Sequence, residues 1–125
     1  MKDLTGMRWE NKTSHIIRIL NHSGEVVQEL PKSRYAVRVN QHFRHKLAVD
    51  GIPIGRFEGD PDYKNLPDPI RADTIYIVSG ITASLIRRWN FVAPRSDSNG
   101  LDRSLDMSVF ATKSFITFGE YHDQT

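Results

Sequence analysis

A strand, a Ser-Gly pair and a helix follow one another in "IYIVSGITASLIRRWNF" (residues 75–91), which raises the question of whether the start of the helix holds an anion. The first N–H groups of a helix lack intrahelical acceptors and carry the positive end of its dipole, so they attract phosphate or carboxylate. Ser79 would add a hydroxyl there, and Gly80 would let a ligand approach the backbone. The structural alternative is that Ser79 only caps the helix and Gly80 is a tight-packing position.

Cationic side chains elsewhere in the chain are candidates to complete this site, because guanidinium groups bind phosphate with two parallel hydrogen bonds. His15 would hydrogen-bond or stack on the ligand. The candidate ligand-binding residues are therefore His15, Arg34, Arg38, Ser79, Gly80, Arg88 and Arg95. Neither a G-x-x-x-x-G-K-[ST] phosphate loop nor a G-x-S-x-G nucleophile turn is present, so the sequence predicts no catalytic residue and no cofactor.

Two further clusters have the residue types for metal or acid–base chemistry. His42 and His45 are three residues apart, and in an extended segment they would point to opposite faces, so no metal site is predicted. The acids of "EGDPD" (residues 58–62) could hold magnesium or transfer protons. Their Gly and Pro neighbours favour a solvated turn instead, and a small hydrolase using His15 or these acids is the weaker hypothesis.

Five aromatic residues could stack on nucleic-acid bases beside the arginines: Trp9, Tyr35, Phe43, Trp89 and Phe91. Aromatic side chains at strand and helix spacing in a small domain more often fill the interior. We therefore expect most of them in the core.

The chain has 125 residues, which is enough for one domain with a real core. We expect a globular domain over residues 1–118 and a flexible tail over residues 119–125. The absence of cysteine excludes disulfides, thiolate zinc sites and cysteine nucleophiles. No signal-peptide pattern and no bilayer-length apolar run is found, so we expect no membrane association and a cytoplasmic location.

Charge is unevenly distributed along the chain. Residues 1–50 carry nine Lys/Arg against five Asp/Glu, or +4, while residues 51–75 carry three against five, or −2. Residues 76–125 carry five of each, and the whole chain is +2. This pattern permits a modest basic face for an anionic partner, although a solvated surface of mixed charge is the favoured interpretation.

Turn residues predict where most of the strands begin and end. "NHSG" (residues 21–24) predicts a hairpin between strands at 14–20 and 25–30. Asp50-Gly51 predicts a second hairpin over 45–57, with Pro53 on an edge strand. Residues 34–40 alternate strictly, which predicts a strand with Tyr35, Val37 and Val39 on one face.

The second half of the chain is predicted to contain the only helix. Residues 58–73 are mostly loop, and residues 74–79 form a central strand because they are apolar on both faces. Ile81, Leu85 and Trp89 share one face of a helix over 80–89. A polar loop at 93–104 and one or two strands at 107–118 follow. The fold class is therefore α+β and mainly antiparallel, with roughly six to eight short strands in a sheet or small barrel-like domain.

Four segments together resemble a group of small uncharacterised proteins encoded by phages and prophages. The segments are "TSHIIRIL" with Thr13 and His15, "PKSRYAVRV" with Pro31, Ser33, Ala36, Val37, Arg38 and Val39, "DTIYIVSGITASLIRR" with residues 74–79 and Arg88, and "FVAP" with Pro94. Only "TIYIVS" is distinctive, and Ser14 stands where the group has proline. The resemblance implies an accessory protein acting in the host cytoplasm, and it implies no activity or site residue.

The sequence favours a non-enzymatic phage accessory protein that sequesters a small phosphorylated, nucleotide-like ligand or masks a host protein. A nucleic-acid-binding module using the basic N-terminal half is the second hypothesis, and a +2 chain weighs against it. A homo-oligomeric component of a phage particle is the third, because alternating strands leave edges to be covered.

Overall fold

The computed structural model describes residues 2–95 and 108–122, and these residues form eleven strands and one helix. The elements are β1 (Arg8–Asn11), β2 (Ile16–Leu20), β3 (Val26–Leu30), β4 (Arg38–Asn40), β5 (Phe43–Val49), β6 (Ile52–Phe57), β7 (Asp62–Lys64), β8 (Thr74–Ile77), α1 (Gly80–Ile86), β9 (Phe91–Pro94), β10 (Val109–Thr112) and β11 (Phe115–Thr117). The β-rich class with one short helix is confirmed. The strand count is higher than predicted, because β1 and β7 are too short and polar to show an apolar alternation, and because Phe91–Pro94, which forms β9, was not predicted as a strand. Of the loop predicted at 93–104, Ala93 and Pro94 belong to β9 and residues 96–104 lie outside the described ranges.

The strands form four small sheets rather than one. Their orders are β1-β8-β9-β11, β10-β2-β3, β4-β7 and β5-β6, and the described strands do not close into a barrel. The pairings β1·β8, β8·β9 and β10·β2 are parallel, whereas β11·β9, β2·β3, β4·β7 and β5·β6 are antiparallel. Four of the seven pairings among the described strands are antiparallel, so the sheets are mixed, and the three parallel pairings were not predicted. Parallel partners are separated by long stretches of chain, so local turn signals do not reveal them.

Strand β8 lies at the centre of the four-stranded sheet, as its apolar sequence predicts. Tyr76 and Ile77 are essentially fully buried on opposite faces of the sheet. Tyr76 packs with Phe91, their ring centroids being 4.9 Å apart, in a core that also contains Val37, Val78, Ala83 and Ala93. Ile77 packs with Ile17, Leu30 and Val92 in a second core. One strand thus joins two cores, one on each side.

A hydrogen-bonded turn fixes the start of β8. The Arg71 guanidinium donates to both carboxylate oxygens of Asp73, at 3.1 and 3.2 Å, and the Thr74 hydroxyl donates to the same carboxylate. These hydrogen bonds lower the pKa of Asp73 to about 2. The buried Asn90 amide donates to the carbonyls of Arg71 and Thr74, so the turn is attached to the chain that follows α1.

Both predicted hairpins are confirmed. In the first, Asn21 and Gly24 form the turn between β2 and β3, and Gly24 has a φ of 83°. In the second, Asp50 and Gly51 connect β5 and β6 with φ values of 52° and 77°. Positive φ at both central positions is what the Asp-Gly pair supplies.

The strand predicted over residues 34–40 is wrong in its first half. Only Arg38–Asn40 is a strand, and Tyr35 is 66% exposed while Ala36 and Val37 are both buried. The Ser33 hydroxyl accepts a hydrogen bond from the Tyr35 N–H, which bends the chain. The Val37 N–H then donates to the Lys12 carbonyl instead of to a partner strand, so the pleated alternation is lost.

Helix α1 is shorter than predicted and rests on a different face. It ends at Ile86 because Arg87 adopts the left-handed conformation, with a φ of 58°, and donates its N–H to the Ala83 carbonyl. Trp89 is therefore outside the helix, and the buried helical residues are Thr82 and Ala83, while Ile81 is 61% exposed. No helix within residues 2–95 and 108–122 is long and apolar enough to cross a membrane.

Candidate functional site

A cavity of about 450 Å³ lies between the β8–α1 junction, the chain before β2, and the segment that leads into β4. Its wall is polar at the loops and apolar where it meets the cores and β10. The lining residues are Lys12, Thr13, Ser14, His15, Ile17, Ala36, Val37, Arg38, Val39, Gln41, Val78, Ser79, Gly80, Ile81, Thr82, Pro94 and Phe110. The size and mixed lining suit a small organic ligand.

Asn11, at the end of β1, holds the polar wall in place. Its buried amide donates to the carbonyls of His15 and Pro31, at 2.7 and 2.9 Å. Its side-chain oxygen accepts from the N–H and the hydroxyl of Thr13, at 3.0 and 2.7 Å. A single side chain therefore fixes the backbone of residues 13–15 against the end of β3, so the wall is preorganised.

His15 combines an apolar contact with an unused polar atom. Its ring meets the edge of Phe110, with centroids 4.5 Å apart and planes at 74°. Its Nδ1 is buried and has no hydrogen-bond partner among the described residues. Buried polar side-chain atoms in native proteins nearly always have a partner, so the described residues leave the hydrogen bonding of this nitrogen incomplete.

The charge of the wall is positive. Lys12 and Arg38 line the cavity, and none of its described lining residues is a carboxylate. Two cations without an acid between them favour an anionic occupant.

Ser79 acts as the N-cap of α1. Its Oγ accepts from the Thr82 N–H at 3.2 Å and donates to the Thr82 Oγ1 at 2.8 Å, so the capping interpretation is confirmed and the hydroxyl proton is already used. The tight-packing interpretation of Gly80 is wrong, because nothing lies within 4 Å of the position its Cβ would take. Gly80 leaves open space at the cavity wall.

The structure brings four of the seven predicted residues to one cavity: His15, Arg38, Ser79 and Gly80. Arg34 is exposed and does not line it. Arg88 lies beyond the far end of α1 from Ser79, and seven helical residues separate the two by about 10 Å. Arg95 follows the lining residue Pro94, but its N–H turns to the Ser114 carbonyl at 3.1 Å.

Sequence reasoning missed Lys12, Thr13, Ser14 and Phe110 as lining residues. One signal was available, because Asn11-Lys12-Thr13 can form a side-chain turn in which Asn binds the N–H two residues later, and the structure contains that bond. Phe110 reaches the cavity only through the parallel pairing of β10 with β2, which no local pattern encodes.

The other clusters singled out in the sequence are engaged in ion pairs. His42 Nε2 lies 2.9 Å from Asp62 Oδ2. The Glu58 carboxylate is surrounded by Arg44, Lys46 and Arg56. Residues 2–95 and 108–122 contain no group of three side chains able to hold a metal ion.

The expectation that most of the five aromatic residues are in the core is wrong. Only Phe91 is fully buried, whereas Trp9, Tyr35 and Phe43 are exposed and Trp89 is half-buried. Trp9 contacts Phe115 at a centroid distance of 5.2 Å, and Trp89 contacts Tyr121 at 4.8 Å. The two cores are filled mainly by aliphatic residues, since short strands in small sheets leave little interior volume.

Comparison with known proteins finds no matching family model, no matching curated protein and no matching solved structure. The likeness of the four sequence segments to phage proteins therefore stays a prediction. The cavity and its contacts are the basis for the functional proposal.

Proposed function

We propose that this chain is a non-enzymatic binding protein that sequesters a small anionic, nucleotide-like ligand in the cavity next to His15. The observation that carries the proposal is a cavity of about 450 Å³ lined by His15, whose buried Nδ1 has no hydrogen-bond partner among the described residues. The cationic lining supports an anion, and the volume matches that of ordinary ligand sites.

Two halves of the wall suit two halves of such a ligand. Arg38 and Lys12 provide the charges for a phosphate, with the guanidinium able to bind two oxygens at once. Ile81, Pro94 and Phe110, which are at least partly exposed, provide an apolar surface for a ring system. His15 is close to the apolar half, because its ring meets Phe110, and its buried Nδ1 has no hydrogen-bond partner among the described residues.

The hydrogen-bonding pattern favours binding over turnover. A hydroxyl nucleophile needs an adjacent base, and the Ser79 hydroxyl donates to Thr82 rather than to a histidine. The chain before β2 is fixed by Asn11, as expected of a preorganised binding wall. The resemblance to phage proteins supports an accessory role in a host cytoplasm, where sequestration of a phosphorylated metabolite requires no catalysis.

Native mass spectrometry of gently purified protein tests the proposal first, because a retained mass identifies the ligand directly. Calorimetric titration with nucleoside monophosphates and with inorganic phosphate then measures affinity. We expect Arg38→Ala to weaken nucleotide binding roughly 10- to 100-fold, since a charge-assisted hydrogen bond contributes about 1.5–3 kcal/mol. Arg34→Ala is the matched control, because this exposed arginine does not line the cavity.

Two His15 variants measure separately what the ring and its Nδ1 contribute to binding. His15→Phe keeps the contact with Phe110 and removes Nδ1, so binding should fall, while His15→Asn keeps a polar atom near the Nδ1 position and should retain part of it. Equal binding by wild type, His15→Phe and a Lys12→Ala/Arg38→Ala variant would overturn the proposal. Steep loss of DNA or RNA binding with salt, with no small ligand bound, would instead favour the nucleic-acid hypothesis.

A further inference from the structure

The β5–β6 hairpin is the part of the molecule least covered by the rest of the chain. Within residues 2–95 and 108–122, neither of its strands pairs with a strand of another sheet. Every residue of β5 is exposed, and so is every residue of β6 except Gly55. An isolated two-stranded hairpin is only marginally stable in water, so a surface of this kind gains from a partner.

Four large aliphatic side chains lie together on one face of the hairpin, near its tip. Leu47 pairs with Ile54 and Val49 pairs with Ile52, and cross-strand partners project to the same face. These residues, the tip quartet, are 57%, 48%, 53% and 67% exposed in that order. Four exposed aliphatic residues on one face form an apolar patch of the kind that marks an interaction site.

Charges on the same face are separated along the hairpin. Arg44 and Arg56 form a cross-strand pair at its base and, with Lys46, surround Glu58, which leaves the base positive. A register shift between His45 and Leu47 brings Lys46 next to the tip quartet. Asp50 places a negative charge in the turn at the tip.

We propose that two copies of the chain associate face to face through this hairpin, with the two hairpins antiparallel. With a two-fold axis at the level of the Ala48–Pro53 pair, Val49 and Ile52 of one copy meet Leu47 and Ile54 of the other. Each residue of a strand advances about 3.3 Å, so Asp50 and the second copy's Lys46 both lie about 7 Å from that level. This arrangement therefore buries the tip quartets of both copies and places Asp50 of each copy next to Lys46 of the other.

Other classes of occupant fit this surface less well. If the hairpin inserted into a bilayer, the charged Asp50 at its tip and the unpaired backbone groups at its edges would enter the hydrocarbon. Both would raise the free energy of insertion. A nucleic acid would meet the aliphatic quartet and Asp50 rather than a continuous basic ribbon. A second copy satisfies the apolar and the charged residues together.

The test is the concentration dependence of mass for the full chain, by sedimentation equilibrium or mass photometry. We expect a reversible dimer for the wild type and a loss of dimerisation of at least tenfold in Leu47→Thr/Ile54→Thr, because threonine keeps the strand propensity and removes apolar area. Val26→Thr/Val27→Thr is the matched control, since these two residues are equally exposed on β3, and it should dimerise as the wild type does.

The charged pair provides an independent test of geometry. Lys46→Glu should weaken the dimer, and Lys46→Glu combined with Asp50→Lys should recover most of the loss, because the two charges exchange places. A wild type that is monomeric at all concentrations would overturn the proposal. So would a dimer that persists in Leu47→Thr/Ile54→Thr while circular dichroism shows that this variant is folded.

Discussion

The cavity wall and the β5–β6 hairpin differ in where their polar and apolar side chains lie: the first contains a buried polar side chain, and the second contains exposed apolar ones. At the cavity, the polar Asn11 is buried and binds two neighbouring segments, whereas at the hairpin, the aliphatic tip quartet is exposed. The difference follows from what pairs with each region. Distant strands cover the cavity wall, while the hairpin pairs only with itself in the described ranges. The cavity is therefore held by the whole fold, and the hairpin is locally formed and available.

Shortening one isoleucine in each region gives the largest contrast. Ile77→Ala opens a hole in the second core and should lower the free energy of unfolding by about 3–4 kcal/mol. Ile52→Ala removes a side chain that solvent already reaches, and it should change the free energy of unfolding by less than about 0.5 kcal/mol when the chain is monomeric. Urea unfolding at low protein concentration measures both, and equal losses would contradict the comparison.

Removing the Asn11 amide tests whether one side chain organises the cavity. Asn11→Ala leaves the His15 and Pro31 carbonyls and the Thr13 N–H without their partner, so the free energy of unfolding should fall by about 2–3 kcal/mol. Binding of any cavity ligand should fall with it. Asn40→Ala, at an exposed position on β4, is the control and should have little effect on either measurement.

Two glycines differ in the space around them. A methyl group on Gly55 would overlap the Arg44 backbone and the Phe43 ring, so Gly55→Ala should destabilise the hairpin by about 1–3 kcal/mol. Hydrogen exchange should then accelerate in β5 and β6 alone, because those strands pair only with each other in the described structure. Gly80→Ala, where nothing lies within 4 Å, should leave protection unchanged throughout. Faster exchange in β8 of Gly55→Ala would mean that the hairpin is not independent.

The smallest effect is expected from Asp73, which is exposed at the start of β8. The pKa of Asp73 is lowered to about 2 by the Arg71 guanidinium and the Thr74 hydroxyl, compared with about 3.9 for a free aspartate. The folded state thus gains stability from this group above about pH 4, and loses it as the pH falls toward 2. Acid titration of unfolding should show a slightly shallower loss for Asp73→Asn than for wild type, and a steeper loss would reverse the sign of this argument.

Part of this fold could be predicted from local features of the sequence. Asp50-Gly51 and Asn21–Gly24 specify their turns through backbone conformations that few residues adopt, and the apolar residues 74–77 specify a central strand. The end of α1 could not be predicted, because the residue that adopts the left-handed conformation there is Arg87 and not a glycine. Because the helix ends before Arg87, the helical positions predicted for Arg88 and Trp89 are wrong.

The site was partly readable for the same reason. Ser79 and Gly80 follow the predicted central strand, and their position at its end was correct, whereas His15 was predicted inside the strand at 14–20 and lies just before β2. Lys12 was missed because β1 is fixed by parallel pairing with β8, where Arg8 pairs with Thr74, 66 positions later. Polar strands of four residues have no pattern of their own, and their place is decided by the partner.

The pairing of β10 with β2 also determines when the cavity can exist. Val109 pairs with Ile16, 93 positions earlier in the chain, and Phe110 in this strand is the ring that His15 contacts. Such remote contacts form slowly, because a long loop must close before any of them is made. During synthesis, the edge of β2 therefore stays uncovered and the binding wall incomplete until almost the last strand has emerged. Until β10 is made, this uncovered edge can pair with another strand edge, so the nascent chain is open to mispairing.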